Sequence, residues 1–171
     1  MRALSEIGNI VQKAALGAGT PLGQAEDLGR VAAYIAGMGG DLRTISDALT
    51  SPVQPHVTWG NESIVVKAGS GALIAPIIRD AFVMGIKRAE LAHPGHADLV
   101  KAVLSLAGYE VAVADNMIMH CGATPPLPAK GPVDVPVEIW NAWSLLAART
   151  YVLESDTSRN AGAGAGLTDN D

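Results

Sequence analysis

Apolar positions in the first fifty residues recur at helical rather than strand spacing. Ile7, Ile10, Val11 and Ala14 share one helical face, and Gly17 supplies a stop. Leu22, Ala25, Leu28, Ala32 and Ile35 repeat the pattern in a second helix. Thr20 before Pro21 suits its start, and Gly39-Gly40 suits its end. Asp41 reads as the cap of a short third helix running to about Leu49. After Pro52 the period changes. His56 to Trp59 and Ser63 to Lys67 read as strands around a tight turn at Gly60-Asn61. A helix is predicted from about Pro76 to Leu91. Another restarts at His93-Pro94, carries Leu99, Val100, Val103, Leu104 and Ala107, and closes at Gly108. Tyr109 to Ala114 and Met117 to Cys121 read as two strands around Asp115-Asn116, with one longer strand as the alternative. Residues 122–136, which hold Pro125, Pro126, Pro128, Pro132 and Pro136, read as an extended surface connection. Pro136 then opens a last helix, with Ile139, Trp140, Trp143, Leu146, Ala147 and Tyr151 on its apolar stripe, ending near Leu153.

This order predicts an α+β fold: a helical N-terminal third, a small mixed or antiparallel sheet in the middle, and a long C-terminal helix followed by a glycine-rich tail. No repeat or linker divides the chain, so its 171 residues read as one domain, with about 154–171 as the tail.

Composition constrains the partners and the location. Hydrophobic residues make up 49% and charged residues only 17%, below the usual ~25%, and the mean hydropathy is +0.24. The longest apolar stretch, Gly71 to Ile86, is broken by Arg79-Asp80 and is too short to span a bilayer. Apolar surface shared between subunits is therefore expected, which predicts a homo-oligomer and no membrane partner. A net charge of −5 with no basic stripe argues against nucleic acid as a partner. One cysteine cannot form an internal disulfide, and Met1-Arg-Ala-Leu-Ser-Glu lacks the apolar core of a signal peptide, so a cytoplasmic location is expected.

Two runs carry a resemblance. They are Lys13-Ala-Ala-x-Gly-Ala-Gly-x-Pro-x-Gly-x-Ala-Glu-x-x-Gly29, and Ala148-Arg-Thr-Tyr-Val152 through Ser158-Arg159 to Gly162-Ala-Gly-Ala-Gly-Leu-Thr-Asp-Asn-Asp171. The chain resembles a bacterial family catalogued as domain of unknown function 3726, strongly at the ends and loosely in the middle. The resemblance implies a cytosolic bacterial protein. It transfers no catalytic residue and no cofactor.

Candidate chemistry is sparse. In the tail, Gly162, Gly164 and Gly166 let main-chain N–H groups approach an anion, and Arg149 and Arg159 can neutralise it; a solvated chain end explains the same residues. Asp169, Asp171 and the terminal carboxylate form an oxygen-rich cluster without the spacing of a calcium loop, so no metal is assigned. Thr20, in the turn between Gly17 and Gly23, sits where a helix N-terminus can meet an anion, although a helix–helix connection accounts for the same residues. Gly69-Ser70-Gly71 matches neither a P-loop nor a dinucleotide fingerprint. His93, His96, His120 and Cys121 fit no familiar zinc spacing. Cys121 beside His120 would face away from it on a strand, so it is expected to be a small buried hydrophobe. Two functions follow. The first is an oligomer that binds a small acidic ligand or a protein partner without catalysis. The second is an enzyme acting on a small carboxylated or phosphorylated metabolite at a subunit interface.

Overall fold

The computed structural model describes residues 1–50, 53–92, 97–123 and 131–151. Within them lie six helices and one five-stranded mixed sheet. The α+β expectation holds. The helices are α1 (Leu4–Gly17), α2 (Leu22–Gly37), α3 (Arg43–Leu49), α4 (Gly71–Val83), α5 (Ala97–Leu106) and α6 (Val137–Ala148). The strands are β1 (His56–Trp59), β2 (Ser63–Ala68), β3 (Arg88–Leu91), β4 (Tyr109–Ala114) and β5 (Met117–Ala123), in the order β1-β2-β3-β5-β4.

The N-terminal helices follow their periodicity closely. Ile7, Val11 and Ala14 of α1 and Ala25, Leu28, Val31 and Ala32 of α2 are buried between the two helices, with α6 packed on α1 and α4 and α5 packed on α2. The two helices cross tightly, because a Cβ on Gly29 would sit 2.7 Å from the Gly8 carbonyl oxygen. α1 also meets α6 at a bare position, where a Cβ on Gly17 would overlap the Leu146 carbonyl. Trp143 of α6 is fully buried at this junction, and its indole N–H donates to the Ser46 hydroxyl of α3 at 3.1 Å. Three details differ from the sequence reading. Leu42 rather than Asp41 stands at the N-cap of α3, although the Asp41 carboxylate accepts from Arg43 N–H. Pro21 rather than Thr20 stands at the N-cap of α2, and α6 stops at Ala148, with Arg149 as its C-cap.

The middle of the chain departs further. α4 begins at Gly71 and carries Pro76 inside it, rather than starting there. Leu73 and Ile74 before the proline are buried on the same helix as Ile78 and Phe82 after it. Burying Leu73 and Ile74 is worth roughly 2 kcal/mol each, which outweighs the ~3 kcal/mol cost of an interior proline. Gly85, at φ +91°, ends the helix: its N–H donates to the Phe82 carbonyl, and Ile86 N–H to that of Ala81.

Arg88-Ala-Glu-Leu91 is a strand, not the end of that helix. Its composition favours helix, but ladders on both sides hold it extended. Ala89 pairs in parallel with Ile64 of β2 and antiparallel with Ile118 of β5. All three residues are buried on the face beneath the helices. β2, α4 and β3 thus form one βαβ unit inside a fold otherwise made of hairpins. The β4–β5 hairpin turns at Asp115, which adopts φ +53°, and Asn116 ties the turn to β3: its carbonyl accepts from Leu91 N–H and its amide donates to Glu90. On the opposite face, Val65, Glu90, Met117 and Met119 are half-buried, and no element among the described residues covers them.

Candidate ligand-binding cleft

α2, α4 and α5 leave a cleft of about 380 Å³ between them. Asp27, Arg30 and Val31 reach it from one face of α2, being spaced three and four residues apart. Arg79 comes from α4, and Val103, Leu106 and Ala107 from the end of α5. One wall is therefore aliphatic, and the other carries two guanidinium groups around one carboxylate.

The ion pairing is loose. Arg79 Nη1 lies 3.4 Å from Asp27 Oδ2, and its Nε and Nη2 share one Asp80 oxygen at 3.4 Å. Arg30 Nη1 is 3.9 Å from Asp27 Oδ1. Unstrained N–H···O contacts fall near 2.9 Å, so these donors are engaged well short of their strength. The Arg79 and Asp27 side chains are about one-third exposed. Arg79 thus holds its guanidinium in a partly desolvated setting, where a charge-assisted bond counts for more than on an open surface; Arg30, at 73% exposure, stands at the solvent edge, and Asp27 and Asp80 balance the two cations.

The residues singled out by sequence lie elsewhere. Arg159, Gly162, Gly164, Gly166, Asp169 and Asp171 fall outside the described residues, as do His93 and His96. Thr20 is buried, and its N–H donates to the Ala15 carbonyl. Arg149 is exposed and borders a second cleft, of about 300 Å³, with Ser46, Thr50, Trp143 and Leu146. No two of the described candidates converge on one point. Ser70 caps α4 in position but not by a side-chain bond; its hydroxyl is buried without a hydrogen-bond partner among the described residues. Gly69 beside it packs so closely that a Cβ would lie 2.9 Å from Pro55 Cα.

One expectation is corrected. Cys121 is exposed, not buried. It sits at an irregularity of the β4–β5 ladder, where Glu110 faces Gly122 and Val111 faces His120, so Cys121 has no partner across the pair. The His120 ring is engaged elsewhere, bonded to the Gly122 carbonyl at 2.9 Å and stacked on Phe82. No group of three or more His, Cys, Asp or Glu side chains converges among the described residues.

Asp27, Arg30 and Arg79 are the residues that sequence reasoning missed. The visible signal was Arg79-Asp80 interrupting the apolar run from Gly71 to Ile86. Its partner lies 52 residues away on another helix, so the convergence is invisible locally. No family model matches the chain, and no curated protein or solved structure matches it either.

Proposed function

We propose that this protein binds a small acidic ligand in the cleft between α2, α4 and α5, self-associates, and acts by binding rather than catalysis. The observation that carries this reading is the pair Arg30 and Arg79, loosely shared by Asp27 at the edge of an aliphatic wall. The arrangement suits a carboxylate or phosphate group joined to a short apolar body, and the volume is at the lower end for small-ligand sites. The low charge content supports self-association. An exposed free thiol at Cys121 suits the reducing cytoplasm, and no helix among the described residues is long and apolar enough to cross a membrane. Membership of the bacterial family named above belongs to the same reading. In its N-terminal run, Gly17 and Gly29 are the bare positions of two helix crossings.

The test is thermal melting against a panel of small carboxylates and phosphate esters. A ligand at a hundred times its dissociation constant should stabilise the protein by about 2.7 kcal/mol, raising Tm by roughly 5–10 °C. Arg79→Gln should abolish that rise while leaving the unliganded melt close to wild type. A stabilising compound whose effect survives both Arg79→Gln and Arg30→Gln would remove this site from consideration. Consumption of the compound during incubation would transfer the same cleft to the enzyme hypothesis.

A further inference from the structure

α6 is apolar around most of its circumference, with Glu138 the sole charged residue in its twelve. Its inner face holds Trp143 and Ala147 in the core. Its exposed side carries Glu138, Ala142, Leu145 and Arg149, with Leu145 at 69%, and Ala142 and Arg149 stand at the rim of the cleft against α3. The spacing is four, three and four residues, which places them in one straight stripe along the helix. Neither Glu138 nor Arg149 makes an ion pair among the described residues.

The stripe is its own complement. Laid antiparallel on a second α6, with the two-fold axis between Trp143 and Ser144, it sets Glu138 against Arg149 of the partner subunit at both ends. In the middle it sets Ala142 against Leu145 of the partner subunit, so a large side chain meets a small one. Antiparallel helix dipoles add to the match. Symmetric pairs need this isologous property, in which each residue meets its counterpart's counterpart.

We infer that α6 is the contact between two copies of this chain in a two-fold dimer, clamped at each end by a Glu138–Arg149 pair. The inference rests on the self-association part of the proposed function and is independent of the ligand cleft. Twelve residues of one helix cover less than the ~800 Å² per partner of a standard interface, the size class of weak, reversible pairs.

Sedimentation or light scattering across about 1–200 µM tests it. The wild type should pass from monomer to dimer within that range. Leu145→Asp should be monomeric throughout, and Glu138→Arg should weaken the dimer at least about tenfold by setting two arginines together at each end. The double variant Glu138→Arg/Arg149→Glu should recover association to within about threefold of wild type, because the swap restores both pairs. Leu145 is exposed, so Leu145→Asp should melt close to wild type at monomeric concentrations, whereas the charge variants, which oppose the dipole of α6 at its first turn and C-cap, should melt slightly lower without unfolding. A wild type that stays monomeric overturns self-association altogether. A dimer that persists in Leu145→Asp, or a charge swap that fails to restore it, overturns the α6 contact alone.

Discussion

The junction of α1, α2, α3 and α6 and the five-stranded sheet achieve order by opposite means. In the helical junction, main chain lies against main chain at Gly8–Gly29 and Gly17–Leu146, and a fully buried tryptophan is fixed by one hydrogen bond to Ser46. In the sheet, side chains cover one face while the other stays partly open, and the central strand is held by its neighbours rather than by its composition. The first region depends on the absence of atoms at particular points. The second depends on the presence of correct partners. The first should therefore tolerate almost no added volume, and the second should tolerate changes on its open face.

Removal of the tryptophan gives the largest expected effect. Trp143→Ala should cost about 4 kcal/mol in chemical denaturation, from the large cavity left where the fully buried indole packs. Gly17→Ala should follow at about 3 kcal/mol, because the methyl group has to displace the Leu146 carbonyl and part α1 from α6. Gly29→Ala should cost about 2 kcal/mol, since the Gly8 carbonyl and the Gln12 side chain must both give way. At the smallest end, Met119→Thr on the open sheet face should shift stability by about 0.5 kcal/mol or less in the monomer. If Met119→Thr proved as costly as Gly29→Ala, that face would be covered in solution and the contrast would fail. A Gly17→Ala variant with an unchanged melt would fail it from the other side.

The two regions also differed in how far they could be read from sequence. α1 and α2 were legible because their apolar faces repeat every three to four residues and glycines punctuate them, all within short windows. Both hairpins were legible because a turn and two alternating runs lie next to each other in sequence. β3 was not: Arg-Ala-Glu-Leu favours helix, and what makes it a strand is Ile64 on one side and Ile118 on the other. The start of α4 was misread because Pro76 marks a helix start only where burial does not carry the helix past it. Cys121 was misplaced because a ladder irregularity cannot be seen in a run of apolar letters. The candidate cleft suffered most. Arg30 and Asp27 look like an ordinary i,i+3 pair, and only the packing of α4 on α2 brings Arg79 to them.

The position of β3 also fixes an order of events during folding. Each hairpin closes across a two- or three-residue turn, whereas β3 must find β2 behind it and β5 ahead of it, across α4 on one side and α5 on the other. Local closures are fast, and the long-range docking of a four-residue strand is the slow, entropically costly step. Ala89→Gly, within that strand, should therefore slow refolding with little change in the unfolding rate, while Met119→Thr on the open face should leave both rates close to wild type. Stopped-flow folding and unfolding arms on the two variants would separate them; equal shifts in both arms would mean that the sheet is not assembled through β3.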